Sequence, residues 1–357
     1  MAQLCHSECT NLYHRSTIRN NMKHRHLTLT FSFLIILLLN SCKQPKQYFE
    51  VARMLHTPYT IKFEYTESLE DEIQAELQRY YHCLNPFDST SIISQVNRNK
   101  EIEVDDLFVE VFNKAMEVSE QTNGIYDITC APLINLWGFG FSKSDSITPA
   151  IIDSVRSFVG YRKVRLEGKK VVKDDPRLLL NCSSLGDGCS CEVIARLFDS
   201  KGIENYLIDI GGETTAKGVN SKGECWRIGI TKPSDDPMGT NRELQEIVRL
   251  CGRHGLATSG DYRNFYIKDG KKYAHTIDPR TGYPAAQPIL SATVIAPDCM
   301  TADAYATAFM AMGREEARKI QQEHPELEYL FIYADENGDY RTDYSDGFRQ
   351  YLVSVKE

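Results

Sequence analysis

Between Lys272 and Pro284 the chain reads K-Y-A-H-T-I-D-P-R-T-G-Y-P. His275, Asp278 and Arg280 fall within six residues of one another. That places a base able to titrate near neutral pH, an acid and a permanent cation on one short stretch. Asp278-Pro279 and Thr281-Gly282 are turn signals, since Gly282 accepts positive φ and Pro279 fixes its own. An alternation at Phe265 and Ile267 precedes the stretch, and a β-branched run, Ala292–Ala296, follows it. It reads as a stiff polar loop between two strands, a usual place for chemistry. The same letters also suit a turn with solvated charges, and this stretch alone does not choose.

A second constellation lies on Cys299–Met312, C-M-T-A-D-A-Y-A-T-A-F-M-A-M, read as a small-residue helix. Asp303 and Thr307 stand four apart and share one face. A carboxylate and a hydroxyl there suit a hard cation such as Mg²⁺. On spacing alone they better suit an acid serving the helix dipole and a Thr bonding back to its own turn. A third stretch, Asn181–Glu192, reads N-C-S-S-L-G-D-G-C-S-C-E and leads into apolar residues at helical spacing. Strand, Gly-containing turn and helix would expose backbone N–H groups to an anion, though a lone G-x-G is usually just a tight turn. Asp127 is isolated in the apolar run Gly124–Gly140 and reads as a cap, a satisfied turn acid or a ligand contact.

Elements that must position these groups follow from periodicity. Thr60–Tyr65, Lys163–Val172, Leu178–Cys182, Tyr206–Ile210, Trp226–Thr231 and Tyr329–Ala334 read as strands. Leu69–Leu84, Leu107–Gln121, Thr148–Phe158 and Arg314–Glu323 read as helices. Asn85–Asn97, rich in Ser, Asn, Asp and Pro, reads as a loop. Hairpin turns are expected around Asp269-Gly270 and at Asn337-Gly338. The pattern of elements predicts an α+β class with mixed sheets and packed helices.

The 357 residues carry a net charge of −8, and no basic run lies outside the N-terminus, which argues against nucleic-acid binding. Residues 1–42 read as a leader. A basic cluster at Lys23–His26 precedes the apolar run Leu27–Leu39, which ends in Leu39-Asn40-Ser41-Cys42. This is a secretion-signal pattern, too short for a comfortable transmembrane helix. Met22 is expected to be the true start. Residues 43–51 read as a tether and 52–357 as the folded domain. Of eleven cysteines, eight lie beyond Cys42, with no CxxC pair or zinc spacing. Most are expected to be small buried residues, although export would permit disulfides.

Taken together the motifs resemble one family. Ser91–Asn97 (S-I-I-S-Q-V-N), Gly124-Ile-Tyr-Asp127 with Leu136-Trp-Gly-Phe-Gly140, and Ile210-Gly-Gly-Glu213 with Trp226–Ile230 match in order and spacing. So do Thr258-Ser-Gly-Asp-Tyr262, His275-Thr-Ile-Asp-Pro-Arg-Thr-Gly282 and Ala302-Asp-Ala-Tyr-Ala-Thr307. The chain resembles the FAD:protein FMN transferases, the ApbE family, over nearly all of its mature part, which implies a two-lobed single catalytic unit of T-fold-like, ApbE type. The resemblance implies Mg²⁺-dependent transfer of FMN from FAD to a Thr or Ser hydroxyl of a membrane redox protein, with AMP leaving. It also leaves open an FAD pyrophosphatase giving FMN and AMP, or a non-catalytic flavin-binding lipoprotein. The end of the leader resembles a bacterial lipobox, which implies acylation of Cys42 and a membrane anchor facing the periplasm.

By position, the resemblance implies Asp303, Thr307 and the turn of Ser184 and Gly186 as metal ligands, and His275 as general base. It implies Leu55, Phe87, Ile125, Tyr126, Asp127, Asn181, Asp187 and Ile289 as FAD contacts. For Asp278 and Arg280 the expectation is a structural role, fixing their loop. Departures from the family pattern are Asp187 where many members carry Lys, Glu192 where the motif ends in Asp, Asn181 for a common Asp, and His56 for a common Gly.

Overall fold

The computed structural model describes residues 45–140, 147–233, 243–260, 265–268, 271–285 and 289–353, with side chains left aside at 265–268 and 271–274. The leader 1–42, with Met22 and Cys42, lies outside the described residues, as do Asp261, Tyr262 and most of the loop after Thr231.

Strands β1 (Gln47–Met54) and β2 (Pro58–Tyr65) open the fold. β1 begins inside the stretch expected to be a tether. Tyr48 donates to the Val219 carbonyl at 2.8 Å and the Phe49 ring stacks 5.5 Å from Phe63, so the chain engages the sheet from Tyr48 onward. Helices α1 (Glu70–Leu84), α2 (Ile92–Asn97), α3 (Asp106–Gln121), α4 (Ala131–Leu136) and α5 (Pro149–Arg156) follow. Then come the hairpin β3 (Val164–Glu167) and β4 (Lys170–Lys173), helix α6 (Gly186–Ser200), and strands β5 (Tyr206–Ile210) and β6 (Glu213–Lys217). A second hairpin pairs β7 (Trp226–Thr231) with β8 (Leu244–Leu250), and β9 spans His254–Gly260. Short strands β10 (Phe265–Lys268), β11 (Lys271–Ala274), β12 (Ile277–Asp278) and β13 (Tyr283–Pro284) lead to β14 (Ile289–Ala296). Helices α7 (Cys299–Met312) and α8 (Arg314–Glu323), strands β15 (Glu328–Ala334) and β16 (Tyr340–Tyr344) and a 3-10 helix at Asp346–Tyr351 follow.

Eight strands form one sheet in the order β1-β2-β5-β6-β9-β14-β15-β16. The class is the expected α+β, and every ladder from β2 to β16 is antiparallel. Helix α7 lies against β9 and β14, with α6 beside it. It is apolar nearly all round, as a helix inside the core must be. Asp298 caps it, accepting the Thr301 N–H at 2.8 Å, and Gly313 ends it at φ 83°. The β7–β8 hairpin packs Trp226, Ile230, Val248 and Leu250 into a separate cluster with Leu256, Ile295, Leu330 and Ile332. Alternation along β9 and β14 sends these residues to the face opposite Ala257 and Val294, which belong to the main core. Cys225 and Cys251 form a disulfide beside this hairpin, and the other cysteines among the described residues are free and buried.

Three expectations change. Residues Ile92–Asn97 are helical rather than loop, because the Ser91 side chain accepts the Ser94 N–H at 3.2 Å and Ile93 and Val96 find the core. Lys163–Val172 folds back as a hairpin at Gly168, whose φ is 62°. Leu178–Cys182 forms no strand beyond a single bridge from Leu179 to Cys130. The Asn97 side chain replaces a neighbouring strand there, donating to the Leu180 carbonyl at 2.8 Å and accepting the Leu180 N–H at 2.7 Å.

Candidate active site

A cavity of about 660 Å³ lies where α7, the start of α6, the Ile125–Ala131 segment and the His275 loop meet. Phe87, Ile125, Tyr126, Asp127 and Asn181 line it, as do Ser184, Asp187, His275, Asp303 and Thr307. Stretches far apart in the sequence therefore converge on one space.

Its polar wall is built of oxygen. Asp303 is 7% exposed and its Oδ2 accepts the Gly188 N–H at 3.0 Å. One turn on, Thr307 Oγ1 donates to the Ser184 carbonyl at 3.4 Å and lies 3.2 Å from Ser259 Oγ. Burial pushes the Asp303 carboxyl up to about 7, with the Gly188 N–H opposing and the Asp187 charge adding to the rise. Burial likewise pushes Asp187 up to about 6. Glu213 is raised well above the carboxylate range by burial, then by Asp303 and Asp187. A Cβ on Gly211 would lie 2.4 Å from Asp187 Oδ2 and 3.1 Å from Glu213 Oε2, so both acids close on that glycine, which sits at φ 72°. Among the described lining residues there is no Lys or Arg to balance them.

Three acids facing one space without a counter-charge favour a bound cation. Among the described residues no three His, Cys, Asp or Glu side chains are grouped to hold a metal by themselves. The expected set is instead Asp303, Thr307 and the Ser184–Gly186 turn, and here the Ser184 carbonyl is the oxygen of that turn beside Thr307. Such hard oxygens fit Mg²⁺, which keeps several of its own waters. Gly186 starts α6 without lining the cavity, and a Cβ there would meet Tyr80 Oη at 2.8 Å.

The opposite wall is apolar and aromatic. Tyr126 is buried, and its hydroxyl accepts from Ser184 Oγ at 3.0 Å. Asp127 lines the cavity but its carboxylate is spent on the turn, accepting the Thr129 N–H at 2.7 Å and the Tyr161 N–H at 2.8 Å. Asn181 accepts the Ser183 N–H at 2.9 Å. Phe87, 80% exposed, stands between this cavity and a second hollow that Leu55 lines. Ile289 needs correction as a pocket residue. It is 2% exposed in the main core at the start of β14 and does not line the cavity.

His275 is half-buried, its ring 6.4 Å from Phe139 and inclined at 67°. The loop after it is fastened as expected. Asp278 accepts the Arg280 N–H at 2.9 Å and its guanidinium at 3.1 Å, and the Asp278 carbonyl accepts the Gly282 N–H at 2.7 Å. Trp137 Nε1 donates to the Gly282 carbonyl at 2.8 Å, tying the loop to the α4–α5 layer.

Comparison with known proteins fits this geometry. The ApbE family profile matches residues 55–331. The FAD:protein FMN transferase of Vibrio cholerae serotype O1 is 35% identical over 331 residues, covering 89% of this chain and 95% of its own. That of Escherichia coli K12 is 32% identical over 297 residues, covering 81% and 83%. The chain belongs to the ApbE family. Its fold matches the solved flavin transferase ApbE of Vibrio cholerae with a TM-score of 0.76 at 32% identity, over 86% of this chain and all of that one. The apo flavinyl transferase ApbE of Pseudomonas stutzeri gives 0.75 at 27% identity, over 87% and 98%.

For an ApbE-family chain the departures now have places. Asp187 stands beside Glu213, and His56 packs its ring 4.3 Å from Tyr81 in the second hollow. Glu213, Thr258 and Ser259 line the cavity although sequence reasoning gave them no role. Their signals were present in Ile210-Gly-Gly-Glu213, an acid directly after a strand-breaking Gly-Gly, and in the hydroxyl pair of Thr258-Ser259.

Proposed function

We propose that this chain transfers the FMN half of FAD to a Thr or Ser hydroxyl of an acceptor protein and releases AMP. The observation that carries the reading is a single cavity holding His275 together with the oxygen set of Ser184, Asp303 and Thr307. The acceptor oxygen forms a bond to the phosphorus of the FMN half, and the P–O bond to AMP breaks. His275 takes the hydroxyl proton, which suits an imidazole at neutral pH. Asp303, Thr307 and the Ser184 carbonyl would hold Mg²⁺, which supplies charge neutralisation and a template for the pyrophosphate. Ile125, Tyr126 and Phe87 offer apolar surface for the flavin and adenine rings.

The test is incubation with FAD, Mg²⁺ and a Thr-containing acceptor domain, reading protein-bound flavin fluorescence and free AMP. Bound flavin with AMP supports transfer, and AMP without bound flavin replaces it with hydrolysis. Full activity of His275→Ala or Asp303→Ala rejects the role given to that residue.

The acceptor is read as a membrane redox protein and the enzyme as lipid-anchored through Cys42, facing the periplasm. The lipobox-like Leu39–Cys42 supports this, and the Cys225–Cys251 disulfide suits an oxidising compartment. Release of the Cys42→Ala protein from the membrane fraction is the expected outcome, and its retention would count against the anchor.

A further inference from the structure

We infer that Glu192 is a positioning residue that sets the cation-holding wall of the cavity without touching anything inside it. The inference rests on the reading of this cavity as a Mg²⁺-dependent flavin-transfer site. Glu192 is 6% exposed and does not line the cavity. Its carboxylate takes bonds from three separate places in the fold. Oε1 accepts the N–H of Cys299, the first residue of α7, at 2.9 Å, and the Thr215 hydroxyl on β6 at 2.8 Å. Oε2 pairs with Arg253, the residue before β9, at 2.5 Å. Glu192 itself sits on α6.

Each of those elements carries part of the polar wall. Helix α7 brings Asp303 and Thr307, β6 brings Glu213, β9 brings Thr258 and Ser259, and α6 brings Asp187. One carboxylate thus joins the four elements whose relative placement decides where the cavity oxygens stand. The α6–α7 contact is pinned twice with the same spacing. Gly188 meets Asp303 and, four residues on, Glu192 meets Cys299, four residues before Asp303. Loss of the second pin leaves the first N–H of α7 without its acceptor and frees the helix to shift on α6. Arg253 keeps other partners, the Asp199 carboxylate at 2.9 Å and the Tyr206 hydroxyl at 2.8 Å, so the surrounding fold stays tied when Glu192 is replaced.

The experiment titrates Mg²⁺ at fixed temperature into the full mature chain carrying Glu192→Ala, Glu192→Asp or Thr215→Val, following the saturable shift in intrinsic fluorescence, beside melting curves and a parallel transfer assay. Groups that orient metal ligands without contacting the ion typically change affinity by about 10–100-fold. The Mg²⁺ concentration at half-maximal shift is expected to rise about tenfold or more in Glu192→Ala. A smaller rise is expected in Thr215→Val, with partial rescue in Glu192→Asp. The KM for FAD is expected to change far less. A merely structural role would lower the melting temperature and the folded fraction but leave that half-point where it is.

An unshifted half-point in the variants overturns the inference, even if the wild type transfers FMN. A shifted half-point in a protein that transfers no flavin supports it while the functional reading fails. Where Glu192→Ala does not fold, Thr215→Val decides the matter, since it removes one hydroxyl at nearly constant volume.

Discussion

The Gly188 N–H donates to the Asp303 carboxylate at 3.0 Å at a crossing so close that a Cβ on residue 188 would lie 2.4 Å from the Cys299 carbonyl and 2.8 Å from Asp303 Cβ. Only a residue without a side chain allows α6 and α7 to approach in this way. Gly188→Ala is therefore expected to push α7 outward at a cost of about 1–3 kcal/mol, the usual range for overpacking. Denaturant melts would measure that loss. The flavin-transfer rate should fall further than the melt alone accounts for, because Asp303 moves with its helix.

Asp303 should make the metal-free protein sensitive to pH. Its folded pKa, about 7, lies above the ordinary 3.8. A carboxyl raised in this way contributes stability fully below about pH 4 and loses it as the pH climbs through 7. Asp303→Asn removes the penalty. In EDTA at pH 8 its melting temperature is expected to exceed that of the wild type by roughly 1–2 °C, the scale of about one kcal/mol in a protein of this size. Adding Mg²⁺ should stabilise the wild type and not the variant. A variant no more stable than the wild type in EDTA would show that the carboxyl is not held unfavourably.

Trp137 holds the His275 loop from outside the cavity. Trp137→Phe keeps the ring bulk but leaves the Gly282 carbonyl without the indole donor, a loss of about 1–3 kcal/mol when such a group stays buried. The expected signature is a lower kcat for flavin transfer with the KM for FAD nearly unchanged. A variant with wild-type kcat would show that the loop is fixed without that bond.

Reduction of Cys225–Cys251 should separate stability from activity. The bridge closes a loop with a sequence separation of 26, for which chain entropy suggests a contribution of about 3.5 kcal/mol. Its hairpin packs on the sheet face turned away from α7. Dithiothreitol is accordingly expected to lower the melting temperature while flavin transfer at 25 °C stays within about twofold, since local unfolding need not spread. Loss of activity below the new melting temperature would mean that the hairpin shapes the cavity.

Much of this arrangement could be read from the letters alone. The small-residue run of α7 gave the helix and the spacing of Asp303 and Thr307 put them on one face, while the family resemblance pointed that face at the cavity. Asp278, Pro279 and Gly282 gave the fixed loop, and Asp278 does bind Arg280. Legibility failed where a side chain stands in for regular structure. Asn97 bonding the backbone of Leu180 has no periodic trace, and Ser91 starts a helix too short to show one. Ile289 was misplaced because every residue of β14 but one is fully buried, so the strand shows no alternation to say which side chains face a ligand. Glu213 went unassigned because its place depends on the chain folding back on itself at Gly211-Gly212, bringing the acid against Asp187.

The oxygen wall has a consequence for how the protein is made. Ser184, Glu213, Ser259 and Asp303 lie on segments spread across the second half of the chain, and they meet only when α7 has docked on the sheet. Synthesis delivers α7 after the other three, so a partly made polypeptide lacks the Asp303 carboxylate and the Thr307 hydroxyl of the oxygen set. Such widely separated pairings form late and together. Competence toward a dinucleotide should therefore arrive in one step near the end of folding, with no earlier species able to act on it.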